Sequence, residues 1–362
     1  MKIVVIGAGV AGLSIGWRLA QAGARVTVLD RAQPGRGATW ASAGMIAVTA
    51  EAAEADTPLA RFARGSAALW PHFALEVEEA SGIDVGYRVD GSLLVAHTRD
   101  EAVALQARAK ESMGLEYLTA DAARALESLL AESTVGALFA PDEAQVDNRI
   151  LGAALARAFQ RAGGVLQSNE AVVRIETENG RAVGARSPFA VHPADSFVLA
   201  AGAWSSRLEG LPPEAVPPVI PVKGEMIALA AKHHALPKRM ILGNDIYLVP
   251  RRERLLVGAT VSRQGFDTST TQGAAQWLFE GAIRLAPALR DWDLVEHWAG
   301  LRPGSPDDLP LIGPTRVQNL FVASGQYRNG ILLAPAIAER TRDGVLENAW
   351  PEDIRAFDPR RF

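Results

Sequence analysis

The chain has 362 residues, enough for one large or two interleaved domains. With 48% hydrophobic and 22% charged residues it has the make-up of a soluble protein with a sizeable core. A net charge of -4 without any basic stripe argues against nucleic acid as a partner, and the absence of cysteine excludes disulfides, thiolate nucleophiles and iron–sulfur clusters.

Lys2 to Ile6 is a short β-branched run suited to a strand buried on both faces. Val10 to Ala22 has helical spacing, with Leu13, Trp17 and Leu19 near one face, and stops at Gly23. Arg25 to Leu29 is a second strand, ending at Asp30, so the first thirty residues read as a βαβ unit. Glycines at 7, 9, 12 and 16, together with Arg18, break what would otherwise resemble a secretory leader. No uncharged apolar run reaches the ~20 residues of a membrane-spanning helix, and a soluble, cytoplasmic protein is expected.

Further along, helices are expected over Leu59–Ala80, Arg99–Met113, Thr119–Leu129 and Asn148–Ala162, with strands around the Asp90-Gly91 turn between Tyr87 and Ala96. Val165–Gln167 and Phe197–Ala201 read as short buried strands. Between them a hairpin of Ala171–Ile175 with Ala182–Ala185 turns at Asn179-Gly180. The proline-rich stretch Leu211–Pro221 is the best candidate boundary. Strands follow at Met226–Ala230, Ile246–Val249, Leu255–Ala259 and Leu294–Ala299, with a helix at Gly273–Leu285. The run Arg251-Arg252-Glu253-Arg254 reads as a solvated turn between two of these strands. Phe321–Ala323 is another buried strand, and a last helix is expected from Ile331.

The expected fold is therefore α/β, with a Rossmann-like dinucleotide domain and a second, largely antiparallel β-sheet domain. The first would take residues 1–82, 145–218 and 300–362, and the second 83–144 and 219–299.

Gly7-x-Gly9-x-x-Gly12 lies between a strand and a helix. The first glycine permits the tight turn, the second admits a pyrophosphate against the backbone, and the third lets helix and strand pack closely. Asp30, at the end of the second strand, is placed to accept hydrogen bonds from ribose hydroxyls. This unit alone does not separate FAD from NAD. The glycine-, alanine- and hydroxyl-rich stretch Gly35–Met45 that follows suits a chain lying against an extended cofactor, with a surface loop as the plain alternative.

With these residues in hand, the sequence resembles the D-amino acid oxidase family of flavoproteins, and most closely its glycine oxidase branch. The resemblance covers nearly the whole chain. It rests on Gly7/Gly9/Gly12 with Asp30, on Gly37-Ala-Thr39 to Gly44-Met45, and on Leu199-Ala-Ala-Gly-Ala-Trp-Ser205. It continues in Val222-Lys-Gly-Glu225, Tyr247-Leu-Val-Pro250, Val257-Gly-Ala-Thr260, Trp298-Ala-Gly-Leu-Arg-Pro303 and Tyr327-Arg-Asn-Gly-Ile-Leu-Leu-Ala-Pro335.

The resemblance implies FAD as cofactor and oxidation of an amine next to a carboxylate: glycine, sarcosine, a D-amino acid or a related secondary amine. Dioxygen would be reduced to hydrogen peroxide. A dehydrogenase of the same fold serving a quinone or carrier, and a flavin-binding subunit without turnover, are the alternatives. A homo-oligomer is compatible with it, and no metal site is expected.

By the same resemblance the FAD contacts comprise Gly7, Ala8, Gly9, Val10, Ala11 and Gly12, then Asp30 and Arg31, then Ala38, Thr39, Ala43, Gly44 and Met45. They continue at Val173, through its backbone beside the adenine, at Ala201, Gly202 and Trp204, at Gly300 and Arg302, and along Tyr327, Arg328, Asn329, Gly330, Ile331 and Leu332.

Arg302 offers a rigid fork for a substrate carboxylate, with a structural ion pair as its plain alternative. Tyr247 matches a family tyrosine that donates to the same carboxylate, with a core or rim tyrosine as its plain alternative. Arg328 is a further candidate for supporting the substrate, with a surface or flavin-adjacent role equally open. Asn329 is either beside the flavin or an ordinary helix cap. Trp40, Met45 and the Met240–Tyr247 stretch are candidates for the pocket wall.

Two departures from the family pattern stand out. Ala41 replaces a histidine that tethers flavin in some relatives, so with no cysteine available the FAD is expected to be non-covalent. Gln326 stands where many relatives carry histidine, and Ser262 stands near a position that is often acidic.

Overall fold

The computed structural model describes residues 1–51, 56–231 and 235–362. Two sheets organise the chain. The first has six strands in the order Leu311–Pro314, Leu320–Ser324, Ser196–Leu199, Lys2–Ile6, Arg25–Leu29 and Val165–Gln167. All are parallel except the Leu311–Pro314 edge. Parallel strands need both faces covered. One face is packed by the helices Val10–Gln21, Pro58–Ser81, Asn148–Arg161 and Ala334–Glu347 around Leu13, Trp17, Trp70 and Phe159. The small sheet Arg174–Glu178, Arg181–Arg186 and Val191–Pro193 helps cover the other around Ile175 and Phe197.

The second sheet has eight strands, in the order Asp293–Gly304, Ile220–Ala230, Arg254–Gly258, Tyr247–Arg251, Met240–Leu242, Ser92–Ala96, Gly136–Ala140 and Glu116–Thr119. Its neighbours are antiparallel except Met240–Leu242 with Ser92–Ala96. One face carries the helix Gln272–Leu285 over Ile227, Leu229, Leu248 and Val257. The other turns Met226, Met240, Val249 and Trp298 toward the segment Ala41–Ala47. The two long strands paired from Ile220 to Ala230 thus connect both halves of the molecule. Among the described residues no helix is long and apolar enough to cross a membrane.

Several expectations shift. The strands on either side of Asp90-Gly91 do not pair with each other: Arg88–Val89 joins Ala144–Gln145, and Ser92–Ala96 joins the large sheet. The hairpin arm begins at Arg174 instead of Ala171. The helix expected from Thr119 to Leu129 spans only Ala120–Leu126, with the Thr119 hydroxyl capping it. Arg251-Arg252-Glu253-Arg254 does turn at Arg252-Glu253, but Arg251 is buried, because it closes a strand facing the core instead of the solvent. The last helix starts at Ala334, three residues later than expected. Residues 331–333 remain in turns, with the Leu333 N–H donating to the Asn329 carbonyl.

Candidate active site

The loop between the first strand and helix is built as the glycine spacing demands. Gly7 has φ +109°, and a Cβ there would lie 2.3 Å from the Ala200 carbonyl oxygen. A Cβ on Gly12 would lie 1.9 Å from the Gly7 carbonyl oxygen. At Gly9, by contrast, the nearest atom would be Thr39 Oγ1 at 3.4 Å, so this glycine faces open space in front of the helix. No acidic side chain occupies the first turn of the helix, which leaves its partial positive charge uncompensated. The Val10 N–H donates to Thr39 Oγ1 at 2.8 Å, an anchor that sequence reading did not supply.

Asp30 does more than its position implied. Its Oδ2 accepts from the Ala8 N–H at 2.6 Å and its Oδ1 from the Ala32 N–H at 2.8 Å, so the carboxylate ties the glycine loop to the second strand. Burial pushes its pKa above the ordinary carboxylate range, against the lowering effect of those two amides. Protonation is therefore easier in the folded apoprotein than in the unfolded chain. The resulting stability is fully present below the unfolded pKa and is lost as pH rises through the folded value. Ribose hydroxyls require the ionised form, so FAD affinity is expected to decline as pH falls through this elevated pKa, above the ordinary ~3.9. Asp30→Asn is expected to flatten that dependence and to weaken FAD binding at neutral pH by about tenfold or more, the scale of one hydrogen bond to a charged group. FAD titrations of apoprotein across pH check this.

Beside Asp30, the Arg31 guanidinium lies 3.6 Å from the Trp204 ring centroid, which brings these two residues to one place. Ala201 and Gly202 lead into the short 3-10 turn carrying Trp204. Val173 is exposed, and its N–H donates to the Arg186 carbonyl while its carbonyl accepts from the Glu209 N–H. Its amide is therefore engaged within the protein, leaving the exposed side chain and a second carbonyl lone pair.

Ala38–Ala41 forms one helical turn whose end is held from two sides. The Asn148 amide donates to the Thr39 and Trp40 carbonyls at 2.8 and 3.0 Å, and the Trp298 indole donates to the Ala41 carbonyl at 3.0 Å. Gly300 makes this contact possible, since its Cβ would lie 2.3 Å from the Ala41 Cβ. The next residues run on under Arg251, which donates to the Ala43 carbonyl at 2.6 Å. Burial lowers the Arg251 pKa to about 10. Gly44, at φ +73°, passes so close to Val146 that a Cβ would lie 2.0 Å from its carbonyl oxygen. Asn148 and Arg251 carry no local sequence signal, because what they hold lies about a hundred or more positions away in the chain.

Arg302 and Tyr247 come from strands separated by two others, yet they lean over the same face. The Arg302 guanidinium covers Gly224, where a Cβ would lie 2.2 Å from Nη1, and the Tyr247 ring covers Gly258, where a Cβ would lie 2.5 Å from Oη. Two glycines on the intervening strands therefore make room for both polar groups. Arg302 Nη1 donates to the Thr260 carbonyl at 3.1 Å and to that of Lys223 at 3.4 Å. Tyr247 Oη lies 3.7 Å from Met226 Sδ. Trp40, Met45 and Met240 join Met226 and Trp298 in the apolar wall around them.

Gly325 to Leu333 passes the same region. Tyr327, at φ +48°, donates its N–H to the Pro303 carbonyl next to Arg302. Gln326 and Asn329 are buried, and Nε2 of the first and Oδ1 of the second have no hydrogen-bond partner among the described residues. The helix is capped at Leu333, so Asn329 is not the N-cap. The Leu332 carbonyl accepts from Ser66 Oγ at 2.7 Å and from Trp70 Nε1 at 3.0 Å, which fixes the far side of the Ile331–Leu333 turn. Gly330 sits within that stretch, and Arg328 next to Asn329 is exposed.

The sequence pattern of the FAD dependent oxidoreductase family DAO matches residues 2–343. The chain is 35% identical to the bifunctional protein ThiO/ThiG of Trichormus variabilis, over 99% of this chain and 55% of that protein. It thus spans about half the length of such relatives. It is 34% identical to a glycine oxidase of Geobacillus kaustophilus, over 98% of this chain and 95% of the relative. A crystal structure of glycine oxidase from Geobacillus kaustophilus superposes with a TM-score of 0.93 at 33% identity, covering 100% of this chain and 99% of that one.

Proposed function

The chain belongs to the FAD dependent oxidoreductase family, and from that premise we propose that it oxidises the amine of a small amino acid or N-substituted amino acid to an imine, with dioxygen reduced to hydrogen peroxide. The imine then hydrolyses to a 2-oxo acid. The observation that carries the reading is the pairing of Arg302 over Gly224 with Tyr247 over Gly258, a cation and a hydroxyl on one face of a sheet with an apolar wall beside them.

The residues suit FAD. Open space at Gly9 before an uncompensated helix N-terminus suits a pyrophosphate. The unpartnered Gln326 Nε2 and Asn329 Oδ1 supply a buried donor and acceptor of the kind a flavin ring edge needs. When bound, FAD supplies the two-electron acceptor for a hydride from the substrate α-carbon.

The protein's own part is orientation. The Arg302 fork grips the carboxylate, Tyr247 donates to it, and together they fix the α-carbon. The wall of Met45, Met226, Met240 and Trp298 excludes water and offers no base, so the amine reacts in its deprotonated form. Ala41, against Gly300, provides no atom for a covalent tether. The FAD is therefore expected to dissociate on acid precipitation, and yellow colour retained in the pellet would overturn that assignment.

The deciding experiment is a peroxide-release screen of FAD-loaded protein against glycine, sarcosine, D-alanine and D-proline. Peroxide equal to substrate consumed supports the oxidase. Turnover only with a quinone or dye acceptor would replace it with a dehydrogenase. Failure of every amine to bleach the flavin anaerobically would remove both.

A further inference from the structure

The sheet face opposite Arg302 holds a buried charge network that the proposed chemistry does not use. Lys223 is 1% exposed, and its Nζ donates to Asp267 Oδ2 at 2.6 Å and to Gln264 Oε1 at 3.4 Å, with Glu225 Oε1 at 3.7 Å. Glu225 accepts from the Thr271 N–H at 2.8 Å and its hydroxyl at 3.3 Å, and lies 3.0 Å from His297 Nε2. Lys223 and Glu225 alternate with Gly224 along one strand, so their side chains point away from the face that Arg302 covers.

Apart from His297, the partners that Lys223 and Glu225 find in this network belong to one segment, residues 259–271, which connects the strand Arg254–Gly258 to the helix Gln272–Leu285. Its backbone is pinned to the same strand. The Lys223 N–H donates to the Ser262 carbonyl and the Ser262 N–H returns to Lys223, at 2.8 and 3.0 Å. The Thr260 N–H donates to the Glu225 carbonyl at 3.1 Å, and Thr260 Oγ1 accepts from the Glu225 N–H at 2.8 Å. Both carbonyls that receive Arg302 Nη1, those of Thr260 and Lys223, therefore lie in backbone that the network holds. Farther along, Phe266 packs on Trp204, with ring centroids 5.7 Å apart.

Building on the assignment of Arg302 as the carboxylate-binding group, we propose that Lys223 and Asp267 are positioning residues. Their ion pair fastens the 259–271 segment so that the Thr260 carbonyl holds the Arg302 guanidinium in the orientation that receives a carboxylate. An ammonium removed from water needs a counter-charge within reach, and among the described residues the charged oxygen at direct contact distance, Asp267 Oδ2, comes from this segment. The hydrogen bond from Lys223, with the Ser269 amide and hydroxyl, holds the Asp267 carboxyl down at about 2, so the carboxylate side of the pair is charged at neutral pH. The Asp267 side chain is 42% exposed, which makes it replaceable without disturbing the core.

The test uses FAD-loaded wild type, Asp267→Asn, Lys223→Met and Arg302→Ala, with propionate as a non-reacting carboxylate titrated against the flavin absorption. FAD affinity and Tm are measured in parallel, as is trypsin cleavage after the exposed Arg263. In Asp267→Asn and Lys223→Met the propionate Kd and the substrate KM are expected to rise about tenfold, the scale of a slightly misplaced binding group. FAD affinity should remain at the wild-type value and cleavage at Arg263 should accelerate, and Asp267→Glu is expected to restore part of the loss. If Lys223→Met does not fold, Asp267→Asn decides. A propionate Kd within about twofold of wild type in the folded variants, while Arg302→Ala abolishes binding, overturns the positioning role alone. A propionate Kd unchanged in Arg302→Ala overturns the carboxylate assignment, and this inference with it.

Discussion

Replacing Arg302 with alanine is expected to lower kcat/KM for an amino acid substrate by about 30-fold to several thousand-fold, the equivalent of ~2–5 kcal/mol for truncating one partner of a buried charge pair. The geometry explains why the effect should be large. The guanidinium lies directly over Gly224, so no other side chain on that strand position can take over its place. Among the described residues no carboxylate consumes its remaining donors: the bonds it makes are to the Thr260 and Lys223 carbonyls, which fix its plane without neutralising its charge. Arg302→Lys keeps the charge but loses the fork, and should fall between wild type and alanine. Steady-state kinetics with an amino acid and with the corresponding amine lacking a carboxylate make the test specific. The amino acid should lose its advantage over the amine in Arg302→Ala, with both measured at saturating FAD. Equal kcat/KM in wild type and variant would remove Arg302 from substrate recognition.

The parts of this site that were legible in the sequence are those whose chemistry is local. The βαβ unit shows itself because glycine spacing, a β-branched run and Asp30 all fall within one short stretch, and the observed strands Lys2–Ile6 and Arg25–Leu29 match the expected ones residue for residue. Arg302 and Tyr247 stood out through the motifs around them, although their convergence depends on Gly224 and Gly258, which belong to other strands.

What escaped is non-local or weakly patterned. Gly136–Ala140 lies between two strands of the large sheet, yet Gly-Ala-Leu-Phe-Ala has no β-branched residue to announce it. Lys223 and Glu225 looked like part of a motif without a role, because the charges that permit their burial arrive from Asp267 and His297, more than forty positions later. The last helix was placed too early at Ile331 because apolar spacing continues back through the turn. Pro335 was the better guide, since its missing N–H and fixed φ suit a helix's first turn, where the structure has it.

The glycine unit offers the sharpest contrast between a structural and a ligand-facing role. Gly12→Ala would place a methyl 1.9 Å from the Gly7 carbonyl oxygen and 3.0 Å from its carbon. Both are backbone atoms of a loop fastened to Leu29, Asp30 and Ala200, so nothing nearby can yield. The helix must shift off the sheet, and the variant is expected to lose FAD together with several kcal/mol of stability, at the upper end of single-substitution effects. Gly9→Ala meets only Thr39 Oγ1, at 3.4 Å, and its backbone sits in extended space at φ -77°. That chain should fold with a Tm close to wild type, yet its methyl projects into the space where the pyrophosphate must approach the helix N-terminus. FAD affinity should then fall by about a hundredfold, since close approach of backbone N–H groups to a doubly charged ligand is worth ~3 kcal/mol. Thermal melts and FAD titrations of the two variants separate the roles. If Gly9→Ala bound FAD as wild type does, the pyrophosphate would not lie against this loop. If Gly12→Ala melted as wild type does, the packing of helix on strand would not depend on the missing side chain.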